Sequence, residues 1–177
     1  MEEEVLIMQA YLNFVQALIN CDPPEAALQL LQENPQFCDY KMVQLLYALA
    51  QQVDTDPDYR QFMLEIAAVI RDGLIERVDC FLQGARISAD SDFDQQVVYP
   101  YLEANQHLWD ERLYDALEAF KPEYYADGDP ESDVELGLIT AYYSRLIHQS
   151  PHGSKDINVK IASLGYEIAM QVLTKKK

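Results

Sequence analysis

The chain has 177 residues, with 13 Lys+Arg against 30 Asp+Glu, a formal charge of −17 and 49% hydrophobic residues. That apolar fraction excludes a disordered acidic tail and supports a sizeable core, in one compact domain or a short repeat array. The charge argues against nucleic acid, whose phosphate backbone requires a basic surface, and against anionic membranes.

The opening Met1-Glu2-Glu3-Glu4 is acidic where a secretory signal is basic, and Gln9, Asn13 and Gln16 interrupt the apolar run behind it. No apolar stretch approaches the roughly 20 residues that span a bilayer. Cys21, Cys38 and Cys80 are odd in number and widely spaced, so they read as buried thiols in a reducing compartment. The expected location is cytoplasmic.

Helical periodicity recurs and strand signals do not, which predicts an all-α fold. Val5, Met8, Leu12, Val15 and Ile19 fall on one stripe of a first helix, and Tyr11, Phe14 and Leu18 widen it, predicting a helix packed on two sides. Asp22 before Pro23 and Pro24 reads as the cap of a short helix that Asn34-Pro35 ends. Asp39 caps a third helix carrying Met42, Val43, Leu46 and Leu49, and Asp56-Pro57 opens a fourth that runs to Gly84. Residues 84 to 93 lose the periodicity and collect small and acidic side chains, which predicts a linker. Helices follow around 100–105, from Asp110 to Phe120, from Pro130 to Gln149 and from Lys155 to Thr174, with a break at Ser150-Pro151-His152-Gly153. The expected organisation is a first helical block over 1–88 and a second over 89–177, packed as one continuous array.

The two blocks are related to each other. Residues 30–49 lie over 101–120 without gaps, so that Leu31, Asn34, Asp39, Leu46 and Ala48 recur as Leu102, Asn105, Asp110, Leu117 and Ala119. Two inserted residues later, Asp56-Pro57 recurs as Asp129-Pro130. Each block ends a helix at Asn, caps the next with Asp and opens a third after Asp-Pro. Units of this kind bury their apolar faces by stacking on neighbours, which predicts a right-handed helical repeat of about seven to eight helices, like a tetratricopeptide solenoid.

The stretch Leu-Leu-x-x-Asn-Pro-x-Phe-x-Asp at 30–39, Tyr-Leu-Glu-Ala-Asn-Gln-His-Leu-x-Asp at 101–110, and the closing Ile-Ala-Ser-Leu-Gly-Tyr-Glu-Ile-Ala-Met-Gln-Val-Leu-Thr at 161–174 carry a family resemblance. Together they resemble the N-terminal helical region of large cyanobacterial proteins, in which tetratricopeptide repeats and often a caspase-like CHAT domain follow. The resemblance covers nearly the whole chain and implies either the N-terminal module of a larger protein or a stand-alone copy of that region. The Trp-Leu-Gly-Tyr signature of a regular repeat is lacking, and no catalytic residue carries over, because the Cys/His pair of that family belongs to the CHAT domain.

Motifs that carry chemistry are weak. Asp90-x-Asp92-x-Asp94 has Gln95 where a calcium loop needs Gly and Tyr101 where it needs Glu. Asp54-x-Asp56-x-Asp58 places Glu65 correctly, but Tyr59 replaces the glycine and Pro57 fits a helix start. His148 and His152 have ligand spacing across a predicted helix break, His107 stands alone, and Cys80 sits beside Phe81 on an apolar helix. No enzyme, metal or cofactor is expected.

Tyrosine is the uneven residue. Seven of the twelve, Tyr99, Tyr101, Tyr114, Tyr124, Tyr125, Tyr142 and Tyr143, lie between 99 and 143 with the single tryptophan, Trp109. Tyr and Trp join an apolar body to a hydrogen-bonding tip and favour interfaces, so Tyr99, Tyr101, Trp109, Tyr114, Tyr125 and Tyr143 form the candidate interaction surface; core packing is the competing role for the same rings. One member of each Tyr-Tyr pair should face outward. Residues 89–135 carry 14 acidic and 2 basic groups, whereas 136–177 carry 2 acidic and 6 basic. The expected function is a non-enzymatic scaffold binding a protein or peptide, with a basic partner matching the acidic surface. The alternative is a structural spacer or self-association module, in which the basic closing segment meets that surface in a second copy.

Overall fold

Local signals account for most of the helix boundaries. The computed structural model describes residues 1–52, 54–124 and 130–174, with the backbone alone for 120–124 and 130–133. Among the described residues there are eight α-helices and no strand, so the chain is all-α. In chain order they are α1 (Glu2–Ile19), α2 (Ala26–Glu33), α3 (Tyr40–Ala50), α4 (Pro57–Asp90), α5 (Gln95–Ala104), α6 (Glu111–Tyr124), α7 (Pro130–Gln149) and α8 (Lys155–Thr174). Short 3-10 turns at Pro35–Phe37 and Gln106–Leu108 precede α3 and α6.

Three boundaries differ from expectation. The Asp22-Pro23-Pro24 segment forms a turn before α2 instead of its first turn, with Ala26 N–H donating to Pro23 O. Helix α5 starts at Gln95, because Asp94 accepts from Gln96 N–H at 2.9 Å, and Pro100 sits inside it. Helix α4 continues through Gly84 to Asp90, so the predicted linker is mostly helical. Gly84 there serves contact: a Cβ on it would overlap the Tyr143 hydroxyl and come within 3.1 Å of Tyr101 Cε1. The α4 end is a Schellman motif, with Phe93 N–H donating to Ser88 O at 2.7 Å and Asp92 N–H to Ala89 O at 3.2 Å. Asp92, at φ 55°, holds the left-handed position usually given to glycine.

The chain divides into two compact units, Met1–Gly73 and Leu74–Lys177, inside α4, whereas the sequence sets the boundary at 88/89. In the first unit, Tyr11, Phe14 and Leu18 of α1, Leu31 of α2, Met42, Val43 and Leu46 of α3, and Met63, Ile66 and Ile70 of α4 are buried. Phe37 of the 3-10 turn stacks on Phe14 at 4.5 Å.

In the second unit, Phe81, Val98, Leu113, Tyr143, Ile147, Ile161 and Ile168 belong to one buried cluster. Burying each such side chain contributes about 1.5–3 kcal/mol. Helices α7 and α8 pair antiparallel: Gly137 lies against Leu173 and Ala169, and Gly165 against Ser144. The close approach uses small hydroxyl residues whose polar atoms are satisfied within their own helix, Thr140 by Leu136 O and Ser144 by Thr140 O, both at 2.7 Å.

The duplication read from the sequence is repeated in hydrogen-bonding detail. Asn34 Nδ2 donates to Leu30 O and Asn105 Nδ2 to Tyr101 O, each at 2.9 Å. Asp39 Oδ1 accepts from Met42 N–H at 3.0 Å and Asp110 Oδ1 from Leu113 N–H at 3.1 Å. The paired residues Leu31 and Leu102, Met42 and Leu113, and Leu46 and Leu117 are all buried.

Candidate functional site

The two capping aspartates share a helix-start role and differ in their second partner. Asp39 accepts from the Tyr11 hydroxyl of α1. Asp110 instead receives both ends of the Arg77 guanidinium, Nε on Oδ1 and Nη2 on Oδ2, each at 3.0 Å, and Arg112 Nη2 at 3.1 Å. The Arg77 side chain is only 7% exposed, so this is a partly buried bidentate pair. Burial works to raise the Asp110 pKa, but the hydrogen bond and charge of Arg77, the charge of Arg112 and the Leu113 N–H outweigh it, holding the carboxyl below its ordinary value.

Beside this pair sits Cys80. Tyr101 Oη donates to Cys80 O at 2.9 Å and lies 3.5 Å from the sulfur. Burial pushes the thiol pKa up, against the opposing hydrogen bond of Tyr101, so Cys80 is a neutral thiol at neutral pH. Burial, followed by the contact with Cys80, likewise pushes the Tyr101 phenol well above its usual value.

The six aromatic residues singled out by sequence do not share one surface. Trp109 and Tyr143 are buried in the core of the second unit, with Phe81 6.2 Å from Trp109 and 5.2 Å from Tyr143. These two correct the expectation of surface rings. The signal was present: Tyr143 lies three and four residues before Leu146 and Ile147, on their helical face. The outward member of that pair is Tyr142, 52% exposed and packed on Phe93 at 5.1 Å. Tyr101 is half-buried on Cys80, Tyr99 is half-buried with its ring edge toward His152, and Tyr114 lies under the Lys160 ammonium at 5.5 Å. Tyr125 lies outside the described residues.

An uncovered apolar surface lies elsewhere, on α1. Tyr11, Phe14, Val15 and Leu18 face the core, and the first ten residues are all exposed. Met1, Val5, Met8 and Leu12 form a second stripe, with Met1 96% and Val5 64% exposed. The helix therefore has the two apolar faces read from the sequence, and the chain covers only one. Toward its C-terminal end the stripe runs into an open groove of about 630 Å³, floored by Leu12, Ile19, Leu49 and Met63 and rimmed by Asp54 and Asp56. The first forty residues contain no Lys or Arg side chain to offset Glu2, Glu3 and Glu4.

On α8, Val159, Tyr166 and Met170 form a further exposed apolar stripe, followed in sequence by Lys175, Lys176 and Lys177. His148 is exposed in the last turn of α7, while His152 lies in the following loop, 3.8 Å from Glu103 Oε2. Asp56 accepts from Asp58 N–H at 2.8 Å at the start of α4. Among the described residues, no three His, Cys, Asp or Glu side chains converge as a metal site, and no helix is long and apolar enough to cross a membrane. No protein-family model, curated protein or solved structure matches the chain.

Proposed function

We propose that this chain is a non-enzymatic helical module that binds a protein or peptide, acting in the cytoplasm as the N-terminal part of a larger protein. One observation carries the reading: the exposed apolar stripe of α1, Met1, Val5, Met8 and Leu12, with the groove into which it runs. Contiguous exposed apolar surface of this kind marks interaction sites, and a heptad-spaced stripe beside a groove suits a partner helix. The duplicated helix–turn–helix blocks support a tetratricopeptide-like repeat as the scaffold.

Burial of Trp109 and Tyr143, two of the six aromatic candidates, favours α1 over the tyrosine-rich segment as the binding face. The acidic rim of the groove favours a partner with basic flanks, with charge chiefly raising the encounter rate. Selection of displayed helical peptides on the native chain, followed by titration of the enriched sequences, tests this reading. Enriched peptides should bind saturably at micromolar concentration and lose at least tenfold in affinity in Leu12→Glu. Failure to enrich any sequence over the heat-unfolded chain would refute it.

A further inference from the structure

Two exposed helix faces of this chain match each other, and we propose that the α1 stripe of one copy docks antiparallel on the α8 stripe of a second copy, joining chains head to tail. The inference rests on the reading of the chain as a protein-binding module and names its partner.

Spacing is the first argument. Met1, Val5, Met8 and Leu12 follow one another at intervals of four, three and four residues, and so do Val159, Ser163, Tyr166 and Met170. Both are heptad seams about 16 Å long, at about 1.5 Å per residue. Antiparallel pairing sets Met1 on Met170, Val5 on Tyr166, Met8 on Ser163 and Leu12 on Val159, so a large side chain meets a smaller one at the two central levels. All eight residues are exposed, so the pairing disturbs neither unit's core.

Charge is the second argument, and it fixes both orientation and partner. The acidic end of α1 carries Glu2, Glu3 and Glu4, whereas α8 is followed by Lys175, Lys176 and Lys177. Only the antiparallel arrangement brings those ends together, and it also sets the two helix dipoles in opposition. At the other end, exposed Lys155 lies one turn before Val159, on the side that meets the Asp54 and Asp56 rim. A parallel α1–α1 pair sets Glu2, Glu3 and Glu4 against their own copies, and an antiparallel one offers them no basic side chain of α1, because no Lys or Arg occurs before Lys41. The contact therefore joins two different surfaces, and a heterologous contact that does not close into a ring propagates as an open chain.

Complementation between two variants tests this. Val5→Glu/Met8→Glu disables the α1 face and Tyr166→Glu/Met170→Glu the α8 face, all at exposed positions, with unchanged circular dichroism as the control for folding. Light scattering and analytical ultracentrifugation of the wild type should show mass growing beyond a dimer with concentration and falling back in about 1 M salt, where charge is screened. Each variant alone should be monomeric, its association weakened at least about 100-fold by ionised carboxylates in the seam. An equimolar mixture should give a dimer and nothing larger, since one intact α1 and one intact α8 face remain between the two chains.

Dimers of the α8 variant alone would show that α1 pairs with itself and overturn the proposal, and dimers of the α1 variant alone would do so for α8. A wild type monomeric at about 1 mM would also overturn it, while peptides still captured through Leu12 would leave the binding-module reading standing.

Discussion

The duplicated caps provide an internal control for what an aspartate does beyond capping. Asp39→Asn keeps an N-cap acceptor for Met42 N–H and weakens only the hydrogen bond from Tyr11, so it should cost roughly 0.5–1 kcal/mol. Asp110→Asn preserves the same cap yet removes the carboxylate that the Arg77 guanidinium, 7% exposed, binds through both Nε and Nη2. Breaking a fully buried pair costs about 3–5 kcal/mol, and solvent screening of the one-third exposed Asp110 side chain reduces this to roughly 2–3 kcal/mol. Urea titration followed by far-UV circular dichroism measures both variants.

The pH dependence has a definite sign. Because the folded Asp110 pKa is lowered, its stabilisation is complete above the ordinary carboxylate value, about 3.9, and is lost as pH falls through the lower folded value. The gap between wild type and Asp110→Asn should therefore narrow below about pH 4. Equal losses in the two variants, or a gap unchanged down to about pH 2, would refute the assignment of Asp110 as the counterion of Arg77.

Gly84→Ala should destabilise by about 1–2 kcal/mol in thermal melts even though alanine favours helix by about 1 kcal/mol, because the new Cβ overlaps the Tyr143 ring; a stabilised variant would show that this contact yields. Asp92→Gly should raise stability by about 0.5–1 kcal/mol, since glycine holds the left-handed position without a Cβ penalty, and a lowered melting temperature would count against that account of the α4 terminus. In the native chain, Cys80 should resist iodoacetamide while half-buried Cys21 and Cys38 react, as mass spectrometry of alkylated peptides would report. Alkylation of all three at similar rates would refute the buried, protonated thiol.

Features of this protein with local causes were legible in its residue order. Helix starts at Asp39, Asp56 and Asp110 depend on a carboxylate two or three residues before the N–H it binds, so their signature is contiguous in the chain. The duplication is legible for the same reason, since the Asn34 and Asn105 bonds and the caps that follow are short-range patterns copied whole.

Features that depend on residues far apart in the chain emerge only once it is folded. Gly84 resembles a helix end until Tyr143 is placed against it, and only then is it a contact within α4. Tyr142 and Tyr143 are adjacent and chemically identical, and the packing of α7 against the core alone sends one outward and the other in. The two caps read the same in sequence but differ in partner, Tyr11 for one and Arg77 for the other, donors 28 and 33 residues away. The first helix carries two apolar faces in its sequence, and only the fold specifies that Tyr11, Phe14 and Leu18 are covered while Met1, Val5, Met8 and Leu12 stay exposed.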